Sequence, residues 1–110
     1  MTRGSILIDG YPVPGVLLDT WPGRLRGWLW RKPGRDVQGV MLVPCRSVHF
    51  WGLSLALEVL FVARDGRVLG HARAQPGDPP RGWPGAHAIV ELAADHVPPG
   101  FAPERVQWMP

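Results

Sequence analysis

A chain that carries L-E-V-L-F-V-A-R-D-G-R-V-L-G-H-A-R-A at residues 57–74 is committed to at least one β-hairpin. Two alternating apolar runs flank Asp65-Gly66, and a tight turn of the Asp-Gly type is the strongest short-range hairpin signal, because its central residues need positive φ. A two-residue loop fixes the register. Arg64 then pairs with Arg67, Ala63 with Val68, Phe61 with Gly70 and Val59 with Ala72. One face becomes Leu57, Val59, Phe61, Ala63, Val68, Gly70, Ala72 and Ala74, a core face. The other carries Glu58, Leu60, Val62, Leu69, His71 and Arg73. Glu58 faces Arg73 in this register, a cross-strand ion pair worth about 0.2–1 kcal/mol that needs no function.

Short elements are expected elsewhere too. Thirteen Pro and 14 Gly among 110 residues punctuate the chain too often for a helical bundle, and this length supports one core. Ile6-Leu7-Ile8 is cut off by Asp9-Gly10, Pro12 and Pro14, so residues 1–15 read as an N-terminal arm or edge strand. Val16 to Leu18 is a brief strand. Thr20 as N-cap and Pro22 in the first turn open a helix from about Trp21 to Arg31, with Trp21, Leu25, Trp28 and Leu29 on one stripe. Gln38 to Val43 is a buried strand stopped by Pro44, residues 47–52 bend, and residues 53–63 lead into the hairpin. Residues 75–86, with four prolines and three glycines, read as a long surface loop without regular structure. Residues 87–93 form a strand with His87, Ile89 and Glu91 on one face. A turn follows at residues 97–100, and residues 104–108 close the fold. The class is mainly β (α+β): one small domain built on an antiparallel, barrel-like sheet with one or two short helices.

The formal charge is +3, and eleven of the twelve basic residues are Arg. They are scattered from Arg3 to Arg105, whereas a nucleic-acid footprint is a patch or stripe. A basic nucleic-acid binder is therefore a further alternative only. A single Cys excludes an internal disulfide, the opening apolar stretch is too short for a signal sequence, and no run spans a membrane. A cytoplasmic location and no membrane association are expected.

Reactive side chains crowd into residues 44–61. Cys45 and His49 stand four apart, so a thiol nucleophile with an imidazole base is one reading, and a buried Cys beside a backbone-bonded His is the plainer one. His49, His71 and His87 with Glu58 and Glu91 lack the pair spacings of a metal site, so neither metal nor cofactor is called for. Glu58 and Glu91 are candidates for paired acids. Six Trp residues are many for this length, and Trp83, inside the Pro-Gly loop, is either a presented aromatic or the loop's own anchor.

Taken together, G-W-L-W-R (27–31), V-M-L-V-P-C-R-S-V-H (40–49), L-E-V-L-F-V-A-R-D-G-R-V (57–68), I-V-E-L (89–92) and the closing R-V-Q-W resemble the DUF192 family, small bacterial and archaeal proteins of uncharacterised function. The match runs in order from about residue 16 to 108, which makes residues 16–110 a single DUF192-like β domain. Leu53 stands where the family usually has Met, Glu58 where it has Asp, Phe50 where it has Thr and Asp95 where it has Gly. The resemblance implies a small, mainly β, barrel-like fold with one or two short helices, and the family brings no established reaction with it. The functional expectation is a small non-enzymatic binding or interaction domain. Its polar pocket is edged by Arg46, His49, Trp51, Glu58 and Glu91, partly covered by Trp83, and holds a small ligand or a protein partner. A small hydrolase-like enzyme using His49 with Glu58 or Glu91, or with Cys45, is the alternative. Neither the ligand nor the oligomeric state is legible.

Overall fold

The computed structural model describes residues 2–19, 37–50 and 55–110. Their strands are β1 (Thr2–Ile8), β2 (Tyr11–Leu18), β3 (Gly39–Leu42), β4 (Ser47–Val48), β5 (Leu57–Val62), β6 (Val68–Ala74), β7 (Arg81–Gly82), β8 (Ala88–Ala93) and β9 (Val106–Met109). A single 3-10 turn, Ala94–His96, follows β8. The main sheet has the order β6-β5-β8-β3-β2-β1-β9, and β4 pairs with β7 apart from it. The fold is mainly β, as expected, and the expected helix at residues 21–31 lies outside the described residues.

The sheet curls until its two edges meet. Val68 N–H donates to the Glu104 carbonyl at 2.8 Å, and Val106 N–H donates to the Gly66 carbonyl at 2.8 Å. These bonds join the start of β6 to the start of β9. Curling gives the sheet an inner and an outer face, and both are buried. Ile6, Met41, Leu60, Val62, Val90 and Leu92 pack on one side, while Val16, Val40, Leu42, Val59, Phe61 and Ile89 pack on the other beneath Phe50 and Ala86. All six residues of β5 and all six of β8 are buried. The second hairpin face, expected to be mixed, is therefore core along β5. Each such apolar side chain contributes about 1.5–3 kcal/mol on full burial.

Four expectations change. Thr2–Ile8 is an interior strand rather than an edge, paired with β2 on one side and β9 on the other. Pro12 and Pro14 are tolerated in β2 because they alternate with Tyr11 and Val13, so their nitrogens point away from β1, and the ladder with β3 starts only at Gly15. That β2–β3 ladder is parallel, unlike every other pairing of the sheet. Such a connection takes a dozen or more residues, which the chain between Leu18 and Gly39 supplies. Residues 75–86 are not wholly irregular, since Arg81–Gly82 pairs with Ser47–Val48 in the stretch read as a bend.

The hairpin keeps its predicted register at Phe61–Gly70, Leu60–His71, Val59–Ala72 and Glu58–Arg73, then departs from it at the tip. Ala63 N–H donates to the Arg67 carbonyl and Gly66 N–H to the Ala63 carbonyl, both at 2.9 Å, so the loop is Arg64-Asp65-Gly66. Gly66 adopts φ 94°, the left-handed residue of a three-residue hairpin loop. The extra residue is absorbed as a bulge, with Val62 opposite Val68 and Leu69 out of register.

Candidate functional site

Residues 44–49 stand apart from the main sheet as a flap. Val43-Pro44 is a cis bond, Cys45 N–H donates to the His87 carbonyl at 2.8 Å, and Trp83 N–H donates to the Arg46 carbonyl at 3.3 Å. With the β4–β7 pairing, these bonds fasten residues 43–48 between the start of β8 and the Pro-Gly loop. The loop is fastened in turn by Trp83. Its ring stacks on Phe61, with centroids 5.8 Å apart and planes 28° apart. It also covers Gly70, where a Cβ would stand 2.5 Å from the ring. Trp83 keeps 39% exposure, but its stacked position makes it the loop's anchor.

Three chain segments converge beside the flap. Arg46 arrives on the flap, Arg64 opens the hairpin loop, and His87 immediately precedes β8. Arg64 and His87 meet because β5 and β8 are antiparallel neighbours whose ladder ends at Val62–Ala88, beyond which His87 N–H donates to the Val62 carbonyl at 2.8 Å. Together with Pro44, Cys45, Gly85 and Ala86 these residues line a recess of about 340 Å³. Among the described residues no carboxylate lines the recess and neither arginine forms an ion pair. The Cys45 thiol donates to the Ser47 carbonyl at 3.2 Å. It therefore closes the flap's own turn, and no helix N-terminus supports it as a nucleophile.

The two acids are not partners. Glu58 lies opposite Leu92, while Glu91 lies opposite Val59 and Val40. Residues opposite one another share a face, so adjacent β5 positions 58 and 59 send the two carboxylates to opposite sides of the sheet. Glu58 is buried and already engaged. His71 Nδ1 lies 3.2 Å from its Oε1, and Arg73 Nε lies 3.5 Å from its Oε2. Glu91 is 2% exposed, and desolvation pushes its pKa from 4.5 up to about 8.

Of the residues expected around one pocket, Arg46, His49 and Trp83 share the flap region, with His49 exposed at its end before the fully buried Phe50. Glu58 and Glu91 belong to the two cores, and Trp51 lies outside the described residues. Sequence reasoning misses the convergence of Arg64 and His87 on one recess. A local signal exists, since one flanks the hairpin turn and the other heads a strand, but only strand order brings them together. Among the described residues no group of three or more His, Cys, Asp or Glu is arranged to hold a metal ion. A more apolar groove of about 410 Å³ lies between Ile8, Tyr11, Val13, Leu92 and Phe101. Its Asp9 is committed to the fold, with Oδ1 accepting the backbone N–H groups of Glu104 and Arg105 at 2.9 Å each.

No protein-family model matches the chain, and a search of characterised proteins returns no match. Two solved structures share its fold. A protein of unknown function from Novosphingobium aromaticivorans DSM 12444 superposes with TM-score 0.79 at 22% identity, over 96% of this chain and 85% of that one. A protein from Sinorhizobium meliloti 1021 named a "putative transcription regulator" superposes with TM-score 0.78 at 20% identity, over 97% of this chain and 94% of that one. Among the described residues no helix is long and apolar enough to cross a membrane.

Proposed function

We propose that this protein is a small, non-enzymatic binding domain that recognises an anionic group, a carboxylate or a phosphate, in the recess between Arg46, Arg64 and His87. The observation that carries this reading is the convergence of two arginines and a histidine from three chain segments on one recess, with no acidic residue lining it among the described residues. Guanidinium forks suit oxyanions because paired N–H donors meet two oxygens at once. Trp83, stacked on the core residue Phe61, and Cys45, bonded to the Ser47 carbonyl, fasten the loop and the flap that shape this recess.

The hydrolytic alternative asks His49 to work with Glu58 or Glu91, and those carboxylates are committed to opposite faces of the sheet. Nucleic-acid binding, which the name of the Sinorhizobium protein brings to mind, asks for a track of cations. A recess of about 340 Å³ offers room for a single anionic group. We further assign the chain to the DUF192 family on the motifs from Gly27 to Trp108, and place it in the cytoplasm.

Calorimetric titration with sodium acetate and with inorganic phosphate at low ionic strength tests the reading. The wild type is expected to bind at least one of them, with affinity at least tenfold weaker in an Arg46→Gln/Arg64→Gln variant of unchanged thermal stability. Equal affinity in that variant, or no binding of either anion to the wild type, overturns it.

A further inference from the structure

The recess does not end at its cations. Arg64 and His87 also line a second recess, of about 470 Å³, on their far side, where the ends of β3, β5, β8 and β9 come together. The two recesses thus share a wall, and their chemistry differs sharply across it. Beyond the wall stand Met41, Val62 and Ala88, all buried, then Val43 and Trp108, half-buried, with Met109 53% exposed at the rim. The cationic side has no carboxylate in its lining among the described residues. The apolar side has Asp65, whose Oδ1 accepts the Arg67 N–H at 3.0 Å at the hairpin tip. An anionic end is therefore favoured on the side where Arg46 joins Arg64 and His87 over the side that carries Asp65.

We infer, resting on the anion site proposed above, that the ligand is an amphipathic anion. Its carboxylate or phosphate head is held by Arg46, Arg64 and His87. Its aliphatic tail crosses the wall to lie against Met41, Val43, Trp108 and Met109. The head supplies direction, since the guanidinium groups attract it and Asp65 repels it from the tail side. The tail supplies affinity, because each methylene moved from water onto apolar surface tightens binding by about fourfold at most. Gain per methylene stops once the tail fills the recess. A pocket of a few hundred cubic ångströms lined mainly by apolar groups, with a few convergent polar ones at one end, is the usual form of a small-molecule site.

The test is a calorimetric series of acetate, butyrate, octanoate and decanoate, with octyl phosphate and 1-octanol alongside, at low ionic strength and below aggregation of the amphiphiles. Affinity is expected to rise twofold to fourfold per methylene from butyrate to octanoate. 1-Octanol is expected to bind at least tenfold more weakly than octanoate, and octyl phosphate shows whether a phosphate head serves as well as a carboxylate. Met109→Asp, at an exposed position and checked by thermal unfolding, is expected to keep acetate or phosphate binding and lose most of the chain-length gain. Short and long carboxylates of equal affinity, or 1-octanol binding as tightly as octanoate, would overturn the amphipathic assignment and leave the anion site standing. Failure of every anion in the series to bind would overturn both.

Discussion

Raising the pH from 5 to 9 removes stability through one residue, Glu91. Its carboxyl stands on the β8 face shared with Val59 and Val40 and is 2% exposed. Burial there favours the neutral acid, which lifts its pKa from 4.5 to about 8. Between those values the folded chain holds a proton that the unfolded chain has released. Stability therefore falls as pH rises through this window, by about 1.4 kcal/mol per pH unit, and levels off above the folded value. The whole window amounts to about 5 kcal/mol as a ceiling, comparable to the total stability of a small domain. Glu91→Gln keeps the size and removes the proton. Urea unfolding of both proteins at intervals from pH 5 to pH 9 isolates the contribution, because every other group is common to the two proteins and cancels in the difference. The difference is expected to be small at pH 5 and to grow in favour of the substituted protein to several kcal/mol at pH 9. Parallel curves for the two proteins, or a wild type that gains on the Glu91→Gln variant as pH rises, would refute the reasoning.

Other substitutions test the fold around the site. Glu58→Ala should cost only about 1 kcal/mol in urea unfolding, because the partners it abandons, His71 and Arg73, are 42% and 55% exposed and regain water; a loss above about 3 kcal/mol would mark a fully buried pair instead. Gly70→Ala should displace the Trp83 ring, with a stability loss of about 1–3 kcal/mol that vanishes when Trp83→Ala is already present, a coupling read from a double-mutant cycle. Asp9→Ala should cost about 1–3 kcal/mol by stripping the backbone N–H groups of Glu104 and Arg105 of their acceptor, while Asp9→Asn, whose amide oxygen still accepts, should keep most of it in thermal unfolding.

What can be read from the residues divides along local and non-local lines. The register from Leu57 to Phe61 is legible because a turn dipeptide and an alternating pattern agree over adjacent residues. The turn itself is not, since its tip bonds to residues 104–106, and a bulge at Leu69 takes up the extra residue. Ile6 to Ile8 reads as an arm in isolation, flanked by Ser5 and Asp9. It becomes an interior strand through pairing with β9, about a hundred residues away. Arg46 and His49 are legible as a dense polar cluster beside Pro44. The separation of Glu58 from Glu91 is not, because alternation sets parity within each strand and only the β5–β8 register relates one strand's parity to the other's. The same register, carried past Val62–Ala88, brings Arg64 and His87 to the end of the sheet where the proposed site rests.

The most direct measurement is a titration of the isotope-labelled protein with inorganic phosphate, following the arginine side-chain Nε–Hε signals by NMR. The account predicts that the signals of Arg46 and Arg64 shift together and saturate at one common affinity, while that of Arg73, facing Glu58 across the hairpin, stays in place. Saturating shifts confined to other arginines, or uniform small drifts of all of them with ionic strength, would contradict it.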